Sequence, residues 1–163
     1  MHLHAEQRFP AAPDEVAAML ADPVFVRQWC LATHASAVTV SIDGVPPEPF
    51  TAKTTRAYPT NGFPSFARRF VGDALEISQT DHWSAVGDGT WAGESDVATT
   101  GAPTRMLARI TLQPDGGMTR QVVDGDLKAS IPFVGAKVET LMYDAITGAL
   151  AVMERVGRDW LMR

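Results

Sequence analysis

The sequence contains few of the residues from which cross-linked, metal-dependent or membrane-spanning proteins are built. Cys30 is the only cysteine among the 163 residues, so no internal disulfide can form and no cysteine pair is available for a zinc site. No apolar run approaches the roughly 20 residues that a membrane-spanning helix needs. Residues 1–6 lack the basic segment and apolar core of a signal peptide. A cytoplasmic location is therefore expected.

An excess of basic residues is also absent. Lysine and arginine total 14 against 19 acidic residues, a net charge of −5, which disfavours a nucleic-acid partner. The chain has no phosphate-binding loop, dinucleotide fingerprint or G-x-S-x-G motif. His2 and His4 could hold a metal from one face of a strand, but a solvated strand face is favoured because no carboxylate–histidine spacing supports a metal site. We expect no cofactor and no metal.

The residues that are present indicate a globular chain organised as one domain over residues 1–163. Apolar residues make up 45 % and charged residues 20 % of the sequence, close to ordinary globular values. Hydrophobic side chains recur with period two in seven segments separated by glycine, proline and asparagine, and this alternation predicts strands. The predicted strands are residues 2–9, 36–43, 50–58, 74–84, 90–99, 105–113 and 118–131.

Helical periodicity appears in four places. Prolines in the first turn start short helices at residues 13–21 and 23–31, and residues 63–71 form one or two helical turns. Residues 134–160 carry a long apolar stripe that includes Leu141 and Met142, which we expect to be buried. Gly148 within it indicates a close approach to the sheet or a bend.

The element order predicts an α+β protein in which a curved, seven-stranded antiparallel sheet surrounds one long C-terminal helix. Two short helices lie between strands 1 and 2. The long helix is the only element large enough to cover the sheet, and a helix about 10 Å across cannot fill a concave face of seven strands. A pocket should remain between them.

This order resembles the helix-grip fold of the START-like (SRPBCC) superfamily, which includes polyketide cyclases, plant pathogenesis-related proteins and lipid-transfer domains. The resemblance implies a hydrophobic cavity for a lipid, sterol or polyketide-like ligand, and no family-wide catalytic motif. Segments 63–72 and 79–83 are similar to an uncharacterised bacterial branch. The other segments that carry the resemblance are 2–9, 12–16, 20–23, Trp29 and 131–135.

Strand parity and the helix stripe predict the residues that contact the ligand. Segment 63–71 borders the cavity mouth as a mobile lid or a fixed connector, without stable membrane insertion. The predicted ligand-binding residues are Phe66, Phe70, Asp81, Trp83, Trp91, Met106, Val123, Leu141, Met142 and Ala145.

Asp81 is the candidate with the most chemical interest. It shares a strand face with Leu75, Ile77 and Gln79, and this face begins apolar, so Asp81 should point toward the pocket. A desolvated carboxyl there would have a raised pKa and could act as a general acid or base. The favoured alternative places Asp81 near a strand end, solvated or paired with an arginine.

Three functions follow from these patterns. The first is a carrier or sensor of a small apolar molecule. The second is a polyketide cyclase or aromatase-like enzyme, for which Asp81, Gln79 and Tyr58 are the groups to test, although no motif assigns a catalytic residue. The third is a protein-interaction module with an incidental cavity. The sequence does not specify an oligomeric state.

Overall fold

The computed structural model describes residues 1–163 and contains seven strands and four helices. The predicted α+β helix-grip architecture is confirmed, and most predicted element bounds shift by only one to three residues. In chain order the elements are β1 (His2–Phe9), α1 (Pro13–Leu20), α2 (Pro23–Ala32), β2 (Ala37–Asp43), β3 (Phe50–Pro59), α3 (Ser65–Val71), β4 (Ala74–Gly87), β5 (Thr90–Thr99), β6 (Thr104–Asp115), β7 (Met118–Ala129) and α4 (Gly135–Leu161).

The strands form one antiparallel sheet in the order β1-β7-β6-β5-β4-β3-β2. Strands β2 to β7 follow one another as a meander, and β1 joins the far edge by pairing with β7. Helices α1 and α2 therefore carry the chain from one edge strand to the other. Their starts are set locally: Asp22 Oδ1 accepts a hydrogen bond from the Val24 amide at 2.9 Å, and prolines occupy both first turns.

Two strand glycines allow adjacent strands to approach closely on the curved sheet. A β-carbon at Gly93 would overlap the carbonyl of His82 on β4, and one at Gly125 would overlap the carbonyl of Leu107 on β6. Because only glycine lacks this atom, these positions permit backbone contacts that a side chain would block. The resulting concave surface faces α4.

Helix α4 crosses the concave face, but only its C-terminal half is packed tightly. Met153 and Gly157 are its buried residues, and Trp160 meets the Phe25 ring edge-on with centroids 5.6 Å apart. The close approach is at Gly157, where a β-carbon would lie 2.6 Å from Cε1 of Phe9. At Gly148 there is open space, so the close approach expected at that residue is corrected.

The expectation that Leu141 and Met142 are both buried is also corrected. Met142 packs against the core, whereas Leu141 is 38 % exposed. The reason is that the N-terminal half of α4 faces an open cavity rather than other side chains. No helix in the structure is both long enough and apolar enough to cross a membrane.

The histidine pair lies on the outward face of β1, opposite carboxylates of β7. His2 Nδ1 is 3.2 Å from Asp126 Oδ1, and His4 Nδ1 is 2.7 Å from Asp124 Oδ2. The hydrogen bonds to Asp126 and Asp124 raise the pKa of His2 and His4, respectively. The histidines and their carboxylate partners are all solvent-exposed, which fits the solvated strand face favoured from the sequence.

Candidate functional site

Two adjoining chambers separate α4 from the concave face of the sheet. The outer chamber has a volume of ≈ 360 Å³ and lies beneath the N-terminal half of α4. The inner chamber is smaller, ≈ 50 Å³, and lies deeper, toward α2 and the middle of the sheet. Val97 on β5 and Ile146 on α4 belong to the walls of both chambers. The two chambers are therefore neighbours, and the inner one carries most of the polar side chains.

The outer chamber is almost entirely apolar. Its walls come from the helix stripe of α4, the inward faces of β4 to β6, and the segment around α3. Thr104 is a polar exception, and its Oγ1 is buried without a hydrogen-bond partner. The residues that make the apolar walls include Phe63, Pro64, Ala67, Phe70, Val71, Leu75, Ile77, Val138, Leu141, Met142 and Ala145.

Helix α3 borders the outer chamber without being buried in the core. None of its side chains is fully buried, and Phe70 is 38 % exposed while also contributing to the chamber wall. Phe66 lies outside the chamber and has the ammonium of Lys137 5.8 Å from its ring centroid. The segment therefore stands where the sequence places it, at the edge of the cavity.

Polar side chains from three neighbouring strands meet at the inner chamber. Arg56 on β3 donates from Nη1 to Gln79 Oε1 at 3.0 Å, and Gln79 Nε2 donates to Asp81 Oδ2 at 2.9 Å. Ser95 on β5 donates to Asp81 Oδ1 at 2.5 Å. Because β3, β4 and β5 are adjacent and these residues share the inward parity, the chain Arg56–Gln79–Asp81–Ser95 is continuous.

Asp81 is half-buried and contributes to the wall of the inner chamber, as the inward parity of β4 predicts. The solvated alternative is therefore corrected, because this strand passes through the middle of the sheet. Burial raises the pKa of the Asp81 carboxyl, although the hydrogen bonds from Ser95 and Gln79 and the charge of Arg56 oppose the shift. A carboxyl in this setting can exchange a proton with a bound molecule.

Arg56 is the feature of the site that the sequence reasoning missed. It is 4 % exposed, and its guanidinium lies over the Trp29 ring at 5.0 Å from the centroid. Strand parity could have found it, since Phe50, Ala52, Thr54 and Arg56 all face inward on β3. Arginine is rarely buried, so residue type by itself indicates a surface position for Arg56.

Cys30 and Gln121 complete the surroundings of the inner chamber. Cys30 is fully buried, and burial raises the pKa of its thiol, so it is a poor nucleophile. Gln121 on β7 donates to Gln7 Oε1 at 2.6 Å, and its own Oε1 has no partner. The inner end therefore offers unpartnered polar atoms on both β3 and β7.

The structure distributes the predicted ligand-binding residues over both chambers. Phe66 and Trp91 lie on neither wall, which corrects their placement. Trp91 instead donates from Nε1 to Asp14 Oδ1 at 2.9 Å and so holds α1 against β5. Ligand contact by the other residues stays a prediction. Asp81, Trp83, Met106 and Val123 line the inner chamber, and Phe70, Leu141, Met142 and Ala145 line the outer one.

The raised pKa of Asp81 predicts a specific dependence of stability on pH. Well below pH 4 the carboxyl is neutral in both the folded and unfolded states, because the pKa of an unfolded-chain aspartate is about 3.9. As the pH rises, the unfolded chain releases this proton before the folded protein does. The contribution of Asp81 to the free energy of unfolding is therefore lost progressively, until the pH exceeds the raised pKa of the folded state. The stability of the wild type relative to Asp81→Asn should therefore fall as the pH rises above about 4 in urea titrations.

Asp124→Asn is the matched control for that measurement. In the wild type, the hydrogen bond with His4 lowers the pKa of the Asp124 carboxyl. The contribution of Asp124 to the free energy of unfolding is therefore lost as the pH falls, which is the opposite pH dependence to that of Asp81. Equal slopes for the two variants would contradict the assignment of Asp81 to a desolvated site.

Solved structures of other proteins share this fold across almost the whole chain. A STAR-related lipid transfer protein from Xanthomonas axonopodis is 17 % identical with a TM-score of 0.63, covering 99 % of this chain and 86 % of its own. The Zhui aromatase/cyclase from a Streptomyces species is 11 % identical with a TM-score of 0.60, covering 100 % and 94 %. Norcoclaurine synthase from Thalictrum flavum is 15 % identical with a TM-score of 0.60, covering 100 % and 87 %.

At these identities the likeness shows the fold alone, and it confirms the helix-grip fold. A comparison with curated proteins finds no match. The family model described as "Protein of unknown function (DUF2505)" matches residues 4–161. This match spans nearly the entire sequence, and the chain therefore belongs to the DUF2505 family.

Proposed function

We propose that this protein binds a small, largely apolar molecule in the two-chambered cavity, as a carrier or sensor. The observation that carries the proposal is the outer chamber, whose ≈ 360 Å³ volume and apolar walls match the usual range of about 300–1,000 Å³ for small-molecule sites. A carrier needs a cavity and an entrance, and no reacting groups. The STAR-related lipid transfer protein, which has the same fold, is consistent with this use.

Titration with Nile red, a neutral dye that fluoresces in apolar surroundings, tests the proposal. We expect saturable binding with one dye per chain, accompanied by a change in tryptophan fluorescence, because Trp29 and Trp83 line the inner chamber. Native mass spectrometry of protein purified from its own host should show a co-purifying apolar molecule. A dye signal that rises without saturation, together with a ligand-free mass, would reject the proposal.

A second candidate function is a cyclase-type enzyme, and the burial of Asp81 favours it. In that case Asp81 moves a proton on a reactive chain that the outer chamber folds. The Zhui aromatase/cyclase and norcoclaurine synthase are enzymes on the same fold. Asp81→Asn separates the two candidates, since a carrier keeps Nile red binding and returns ligand unchanged, whereas an enzyme loses turnover.

The interaction-module alternative depends on an interior filled by side chains. The open outer chamber does not fit that condition. The cavity therefore favours the first two functions over the third.

A further inference from the structure

Arg56 is a buried cation without a counterion in contact with it. The ion pairs of the other arginines are on the protein surface, joining Arg8 to Asp115, Arg105 to Asp96 and Arg120 to Glu6. Arg56 donates a hydrogen bond to Gln79, a neutral amide, and lies beside the neutral thiol of Cys30, while its Nε is buried without a partner. A guanidinium carries five N–H donors and stays protonated in proteins. Buried charges are normally paired, so this one leaves binding capacity unused.

Asp81 does not fill this role. Its oxygens accept hydrogen bonds from Ser95 at 2.5 Å and from Gln79 at 2.9 Å, and neither oxygen forms an ion pair with Arg56. The amide of Gln79 stands between the carboxyl and the guanidinium, so the two charges are bridged rather than in contact. Burial also raises the pKa of Asp81, which weakens it further as a compensating anion.

Building on the proposed function, we propose that the inner chamber binds the carboxylate of an otherwise apolar acid, with the Arg56 guanidinium as its counterion. The inner chamber measures ≈ 50 Å³, whereas a single water needs about 10–15 Å³, so a group of several heavy atoms fits. The apolar part of the acid then occupies the adjoining outer chamber. Arginine is well suited to this task because its fork matches the geometry of a carboxylate.

Gln121 favours one orientation of a bound acid in the inner chamber. Its unpartnered atom on the β7 side is a carbonyl oxygen, which accepts hydrogen bonds and repels an anion. Arg56 on β3 is the only cationic residue on the chamber wall. A carboxylate is therefore directed to the β3 side.

Binding of three molecules with the same ten-carbon chain tests the proposal on the wild-type protein. Decanoate, 1-decanol and methyl decanoate should each displace Nile red, and we expect decanoate to bind at least tenfold more tightly than the other two. Carbon-13 labelling of the decanoate carboxyl should show that the bound acid stays ionised to a lower pH than the free acid. Equal affinities, or a bound acid that protonates at higher pH, would overturn the proposal.

The Arg56→Met variant tests whether Arg56 is responsible for the preference for decanoate, and Arg109→Met is its control. Arg109 is exposed on the outward face of β6, so its replacement makes the same change in net charge away from the cavity. We expect Arg56→Met to lose the preference for decanoate while still binding decanol, and Arg109→Met to keep the preference. A preference that survives in Arg56→Met would contradict the assignment.

The outcomes separate this inference from the proposed function. If the wild type binds neither Nile red nor decanol, the cavity is not a ligand site and the proposed function fails. If it binds both without favouring decanoate, the proposed function stands and only the carboxylate assignment fails. The wild-type comparison decides the matter even if Arg56→Met does not fold.

Discussion

Ala145→Phe is expected to weaken Nile red binding at least tenfold, equivalent to about 1.4 kcal/mol, while the protein remains folded. Ala145 lies on α4, where it lines the outer chamber together with Leu141 and Ile146. A phenyl group there would occupy the volume that the dye needs. It would also bury apolar surface in the open chamber, so the free energy of unfolding should change by less than about 1 kcal/mol.

Ala151→Phe is the control for this substitution. Ala151 lies on the same helix, is exposed, and does not line either chamber. The same increase in side-chain volume should therefore leave dye binding unchanged. If both variants bind Nile red as the wild type does, the dye does not occupy the outer chamber.

The largest expected effect on stability comes from Phe9→Ala, which should lower the free energy of unfolding by about 3–5 kcal/mol. The Phe9 ring is fully buried, 0 % exposed, and fills the contact between the end of β1 and the C-terminal half of α4. Its loss would leave a cavity at the point where the long helix is held to the sheet. Urea denaturation measures the change.

Gly157 provides a second test of the same contact. A β-carbon at Gly157 would lie 2.6 Å from Cε1 of Phe9 and 3.2 Å from Cε of Met19, so Gly157→Ala should destabilise the wild type despite the better helix propensity of alanine. In the Phe9→Ala background the ring is gone, and Gly157→Ala should then stabilise the protein by up to about 1 kcal/mol. Additive effects of the two substitutions would show that α4 does not approach β1 this closely.

A good part of the site was predictable from side-chain periodicity. The period-two pattern of β4 places Asp81 and Trp83 on the inward face, and the helical stripe of α4 places Met142 and Ala145 over the sheet. The error for Trp91 has a clear cause. Periodicity assigns a face to a residue but not a neighbour, and Asp14 of α1 reaches Trp91 across 77 residues of sequence.

Local patterns by themselves determined the element order, the antiparallel sheet and the existence of a space beneath the long helix, because these depend on which side chains alternate with period two or 3.6. Only the tertiary structure decided how that space is divided and where its polar end lies. Arg56, Gln79, Asp81 and Ser95 come from three strands, and their hydrogen bonds exist because the pairing of β3, β4 and β5 brings them together. The packing of α4 at Gly157 likewise leaves its other half free to cover a cavity. Such long-range contacts are set by the packing of the whole chain, which no local window of the sequence contains.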